Sequence, residues 1–291
     1  MTLLVLGASG FVGQAFVRRR LPGEIYTSRR VISSDYVRFD PLTDNLRSIS
    51  GIVNISHALL LFAEREPDHC AIDPEGTRNV NVEAPCRMIA QCSELGITPI
   101  FASTEMVFGG DTGMYAESAV PMPILEYGRQ KLATEHYLLS KNDSGLVLRF
   151  PKTVGLHKDD RSLFTTWLQK IAEHPQLLQC AKDQYFSLQF VDDVPVVVRA
   201  LMRKRASGIL HLGDGRRHSR FDLLSKLCST LNKLGFDVPK LQEISIRDIE
   251  FPEPRPLDVS MNASKLRALI GMEPERVENF ITVVVRGYGG P

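Results

Sequence analysis

Three glycines at a spacing of three, Gly7, Gly10 and Gly13, follow directly on the apolar run Leu3 to Leu6. Few chain geometries accept this arrangement. Gly7 permits a tight turn and Gly10 lets the backbone approach a pyrophosphate. Gly13 lets the following helix pack closely on the strand, with the amides of its N-terminus facing phosphate oxygens. The stretch predicts the first strand, turn and helix of a nucleotide-binding sheet.

Phe11 to Arg19 continues as a helix, Pro22-Gly23 stops it, and Glu24 to Ser28 is the next strand. A dinucleotide site that takes NAD usually ends this strand in Asp or Glu, whose carboxylate binds the ribose 2′-hydroxyl. Here it ends in Thr27-Ser28-Arg29-Arg30. Two guanidinium groups suit a 2′-phosphate, so NADPH is the expected cofactor in preference to NAD; the competing reading makes Arg29 and Arg30 solvated loop residues. Val37 to Phe39 reads as a short third strand before Asp40-Pro41. Asp40 could accept from the adenine amino group or cap a helix with Pro at N1. Gly51 to Ser56 reads as a further strand, placing His57 at its carboxyl end, where it could touch cofactor or be an incidental loop residue.

Glu75 to Glu94 is a long helical stretch, Ile97 to Ala102 and Leu146 to Phe150 are strands, a helix begins near Asp192, and Ile209 to Leu212 is a last short strand. Strict alternation of strand and helix implies an α/β fold, a Rossmann-type doubly wound parallel sheet. A cofactor-binding domain is expected over residues 1–151. A smaller substrate-binding region is expected over 152–291, with 190–214 returning to the first.

With 291 residues and a net charge of +1, the chain can bury a large core and has no Lys/Arg block, so neither nucleic acid nor a membrane surface is an expected partner. The five cysteines are odd in number and lack Cys-x-x-Cys spacing, and the seven histidines are scattered, so neither a disulfide framework nor a metal site is expected. The short apolar N-terminal run has no basic flank or cleavage site, and the expected location is the cytoplasm. Leu163, Phe164 and Trp167 fit the apolar face of a helix and are expected in the core.

Tyr127 and Lys131 stand at i and i+4, one above the other on a helix face, and Ser103-Thr104 ends the preceding strand. Reducing a carbonyl needs an acid for the nascent alkoxide, and a phenol is sluggish in that role unless its anion is stabilised. Lys131 is placed to bring it down by about two to three pH units, and Thr104 to hold the substrate oxygen.

The glycine signature, the Ser-Thr strand end and Tyr-x-x-x-Lys, in this order, resemble the extended short-chain dehydrogenase/reductase family. Within it, Ser103 to Gly110, Ala63 to Asp68, Arg255-Pro256 and Asn262 to Leu266 resemble the dTDP-4-dehydrorhamnose reductase branch. The resemblance covers nearly the whole chain. It implies that Thr104, Tyr127 and Lys131 are catalytic, with Lys131 also on the nicotinamide ribose. It implies cofactor contacts from Gly7, Ser9, Gly10, Phe11, Val12, Arg29, Arg30 and Asp40. Ser103 would then satisfy backbone groups at the strand end.

Glu105-Met106 and Phe150 to Gly155 depart from the branch and alter the expected substrate pocket, with Met106 in it; Lys152, Arg161 and Arg255 are candidates for a substrate diphosphate. The implied function is NADPH-dependent reduction of a 4-keto sugar, nucleotide-linked, with a homodimer left open. Phe150-Pro151 and Asp192 to Val194 resemble instead the regulatory β subunit of methionine adenosyltransferase, a non-catalytic NADP-binding alternative. An epimerase or dehydratase that recycles NAD is the third reading.

Overall fold

The run Leu3–Leu6 (β1) is buried on both faces, as a strand must be when helices cover both sides of a parallel sheet. The computed structural model describes residues 1–30, 32–157, 160, 162–173, 176–274 and 276–288. From β1 the glycine turn leads into Phe11–Arg18 (α1), then Ile25–Ser28 (β2) and Val37–Arg38 (β3). His57–Leu60 (β4) is followed by Pro67–Ile72 (α2), Pro74–Arg78 (α3) and Ala84–Glu94 (α4). Thr98–Thr104 (β5), Glu126–Lys141 (α5) and Leu146–Phe150 (β6) carry the chain to the far side of the sheet.

Lys152–Val154 (β7), Leu163–Ala172 (α6), Leu177–Ala181 (β8), Tyr185–Phe186 (β9) and Leu188–Phe190 (β10) come next. Val194–Arg203 (α7) and Gly208–His211 (β11) rejoin the main sheet. His218–Ser219 (β12), Arg220–Lys233 (α8), Lys240–Ile244 (β13), Ser264–Ile270 (α9) and Val277–Tyr288 (α10) complete the fold.

The main sheet has seven strands in the order β11-β6-β5-β4-β1-β2-β3, every pair parallel. Strand order reverses between β1 and β4, and crevices outside such switch points hold the ligands of open α/β sheets. Apolar clusters cover both faces of the sheet. A separate apolar cluster that includes Val154, Phe164, Trp167, Leu227 and Phe280 packs α6, α8 and α10 together. Trp167 stands edge-on to Phe164, 5.7 Å between centroids, so this indole is core.

The strand expected at Gly51 to Ser56 is not there. Gly51 takes φ of +81° and starts a 3-10 turn, Ile52–Asn54, that buries Ile52 and Ile55 without a ladder; the strand begins at His57, opposite Leu3. His57 therefore lies at the amino end of β4, away from the crevice, with Nδ1 2.9 Å from Ser56 Oγ. The helical run expected over Glu75 to Glu94 is interrupted by one π turn, Asn79–Glu83. Among the described residues no helix is long and apolar enough to cross a membrane.

Candidate active site

Gly7 adopts φ of +86°, and a Cβ on it would lie 2.9 Å from the Phe62 amide nitrogen, so both backbone conformation and a neighbouring loop exclude a side chain. A Cβ on Gly13 would stand 2.5 Å from the Ala8 Cα; its absence lets α1 pack against the turn. Gly10 caps α1 without a side chain, so the first-turn amides face the crevice uncovered. Ser28 donates to Ser9 at 3.1 Å, tying the end of β2 to the turn. These features fit a dinucleotide phosphate.

A cleft of about 920 Å³ runs from this turn across the carboxyl ends of the strands. Gly7, Ser9, Gly10, Phe11, Val12, Arg29 and Arg30 line it on the β2 side of β1. Thr104, Met106, Tyr127, Lys131 and Lys152 line it on the β5 side. The sequence candidates thus share one cleft, apart from His57 and three further exceptions. The Asp40 carboxylate accepts from the Leu42 amide at 3.0 Å and closes a turn, while its neighbours Phe39, Pro41 and Leu42 line the cleft. Arg255 pairs with Asp68 and stacks on Phe251, 4.4 Å from the ring centroid, and is not among the lining residues. Arg161 lies outside the described residues.

Local contacts fix Tyr127 against Thr104. A Cβ on Gly128 would be 2.1 Å from the Met106 carbonyl oxygen, so α5 sits directly on the 3-10 turn Glu105–Val107 that follows Thr104. The Glu253 carboxylate accepts from the Glu126 amide at 3.0 and 2.9 Å and holds Arg129 at 2.6 Å, serving as the missing cap of α5. Asn81, fully buried in the π turn, donates to Gln130 at 2.8 Å and to the Glu64 carbonyl at 2.9 Å, and accepts from the Glu64 amide at 2.9 Å. It joins the loop lining the cleft to α5.

The electrostatics differ from the sequence expectation. Burial, and then the Glu105 carboxylate, push the Tyr127 phenol upward from its ordinary 10.0, with the Thr104 hydroxyl opposing. Lys131 does not act on it as expected: its Nζ sits 4.1 Å over the Phe101 ring, and burial lowers the ammonium to about 7 against the pull of Glu135. Glu105, 5% exposed, is raised by burial and opposed by Lys152, whose own amine is lowered by burial and by Arg220. The cleft thus holds a protonated phenol, a lysine lowered to about 7, and a carboxyl and an amine, Glu105 and Lys152, that act on each other.

Sequence reasoning missed Asn81, Gly128, Glu253 and Glu105, the last noted only as a departure. Their roles depend on contacts between distant segments, and no local pattern signals them. Among the described residues no group of three or more His, Cys, Asp or Glu side chains could hold a metal ion.

A seven-stranded parallel Rossmann-type sheet, with Thr104, Tyr127 and Lys131 gathered at its cleft, defines an extended short-chain dehydrogenase/reductase fold. The family model described as the RmlD substrate binding domain matches residues 1–288, and the chain belongs to that family. It is 26% identical to the Haloferax volcanii protein named probable low-salt glycan biosynthesis reductase Agl14, over 99% of this chain and 98% of that one. It is 25% identical to methionine adenosyltransferase 2 subunit beta of Xenopus tropicalis, over 91% of this chain and 81% of that one. The crystal structure of dTDP-4-dehydrorhamnose reductase from Bacillus anthracis in complex with NADP superposes with a TM-score of 0.82 at 18% identity, covering 99% of this chain and 98% of that one.

Proposed function

We propose that the protein is an NADPH-dependent reductase of a nucleotide-linked 4-keto sugar. The observation that carries this reading is the convergence of Thr104, Tyr127 and Lys131 on the cleft that begins at the glycine turn. Support also comes from the family match and from the NADP in the Bacillus anthracis reductase.

The open first turn of α1 and Ser9 would hold the pyrophosphate, and Arg29 and Arg30 the 2′-phosphate. Bound there, NADPH supplies the hydride. Thr104 orients the keto oxygen, and Tyr127 delivers a proton to it as negative charge develops. The phenol is protonated at neutral pH, as a proton donor must be, but its upward shift makes it a weaker acid until its developing anion gains a positive partner. Lys131, which does not lower the neutral phenol, would supply positive charge from one turn along the same helix face as the phenolate forms, and Glu105 with Lys152 would meet the sugar.

Mixing the protein with NADPH and a panel of nucleotide-linked 4-keto sugars tests the reading: at least one sugar should consume cofactor stoichiometrically. Replacing both Arg29 and Arg30 by Ala should weaken NADPH binding about a hundredfold or more while leaving NADH binding unchanged, since each charge-assisted phosphate contact contributes ~1.5–3 kcal/mol. Calorimetric titration of both cofactors checks this, and equal losses would remove the assigned role. A second reading, a non-catalytic NADP-binding regulatory subunit, draws on the similarity to the methionine adenosyltransferase subunit and on the unusual Glu105-Met106 pocket. It predicts tight NADPH binding with no turnover.

A further inference from the structure

Arg149 and Glu135 are each 1% exposed, and an ion pair buried this deeply adds little stability, because desolvation offsets most of its attraction. Its placement gives it another use. Glu135 follows Lys131 by four residues on α5, so the two side chains leave one face of the helix. Arg149 of β6 forks onto the carboxylate, Nε to Oε1 at 3.1 Å and Nη2 to Oε2 at 2.7 Å. The Ser103 hydroxyl of β5 donates to the same carboxylate. His211 Nε2 stands 3.4 Å from Arg149 Nη1, its ring kept neutral by burial and by that guanidinium.

Ser103 therefore serves a side chain and not the backbone at its strand end. Three elements, α5, β5 and β6, meet at one carboxylate directly behind the lysine of the cleft. Among the described residues, the titratable groups acting on Lys131 are Glu135 from its own helix and Cys70 from α2. Burial pushes the Cys70 thiol up to about 11, so it is neutral. From β5 comes the Phe101 ring, and Glu105, beyond the end of β5, acts on Tyr127, the other titratable group on this face of α5. Glu135, itself ion-paired with Arg149, is thus the anionic side chain that acts on Lys131.

We propose that Glu135, clamped by Arg149 and Ser103, is a positioning residue that keeps Lys131 protonated and aimed into the cleft. The inference rests on the role given above to Lys131 as the phenolate's partner. Without the clamp, the Glu135 carboxylate can rotate away from Lys131, and the amine loses its proton at lower pH.

The test is a direct titration of Lys131 in protein carrying [13Cε]lysine, the resonance being assigned by its loss in Lys131→Arg. The midpoint in Glu135→Gln should fall by about one pH unit or more relative to wild type, as expected for removing a nearby opposite charge. Ser103→Ala should give a smaller fall, and Glu135→Asp should recover most of the shift. The alkaline limb of kcat/KM should move to lower pH in the same order. If Glu135→Gln fails to fold, Ser103→Ala, which removes one clamping hydrogen bond and leaves both charges in place, carries the test by its smaller fall. An unchanged Lys131 midpoint in whichever variant folds overturns the proposal. Since the midpoint is read without turnover, a shifted midpoint in a protein that reduces no keto sugar supports it while removing the reductase reading.

Discussion

Replacing Tyr127 by Phe is expected to lower keto-sugar reduction by about two to four orders of magnitude while NADPH affinity stays nearly unchanged. The phenol hydroxyl is the one group lost, and α5 keeps its place, because Gly128 on Met106 and Glu253 on the first turn hold the helix independently of that hydroxyl. An interaction made only as the alkoxide forms lowers kcat and kcat/KM together, which distinguishes proton delivery from ground-state binding. Steady-state kinetics beside a cofactor titration measure both. Full activity in Tyr127→Phe would transfer the acid role to another group, and Glu105, buried beside the phenol, would then be the first to examine.

Replacing Lys131 by Met is expected to abolish turnover and to stabilise the fold. Burial lowers Lys131 from an ordinary 10.5 to about 7. Below about 7 the folded protein carries a buried ammonium that the unfolded chain hydrates freely, a cost on the order of a few kcal/mol. Between about 7 and 10.5 this lysine binds more protons in the unfolded chain than in the folded one, so its contribution to stability rises with pH, by up to about 1.4 kcal/mol per pH unit. Lys131→Met lacks this dependence. The variant should be more stable than wild type near neutrality and below, with an advantage that shrinks as pH rises above about 7. Urea unfolding across that range checks the sign, and a gap that does not vary with pH would contradict it.

These two residues were visible in the sequence because a helix places i and i+4 side chains on one face and because the glycine spacing announces where the sheet's carboxyl edge lies. The same local logic failed at Gly51 to Ser56: an apolar run satisfies a buried 3-10 turn as well as a strand, and the positive φ of Gly51 decided between them. That displacement moved His57 to the opposite end of β4. Arg255 looked like an anion ligand by charge alone, but Asp68 and Phe251, far from it in sequence, claim its guanidinium. Ser103 looked like a backbone-satisfying residue because Glu135 is 32 positions away. Helix phase and turn chemistry are local and legible; partners of charged side chains are set by tertiary packing. The raised phenol of Tyr127 belongs to the second kind, since burial and Glu105, a residue of a different element, push it up.

The most direct test is to follow the hydride itself. With NADPH deuterated at the transferable position and a nucleotide-linked 4-keto sugar, mass spectrometry and proton NMR of the product should find one deuterium on the former keto carbon in the wild type and essentially none over the same interval in Tyr127→Phe. Saturating NADPH binding with no label in any sugar of the panel would contradict the reductase account and leave the cleft as a cofactor-binding regulatory site.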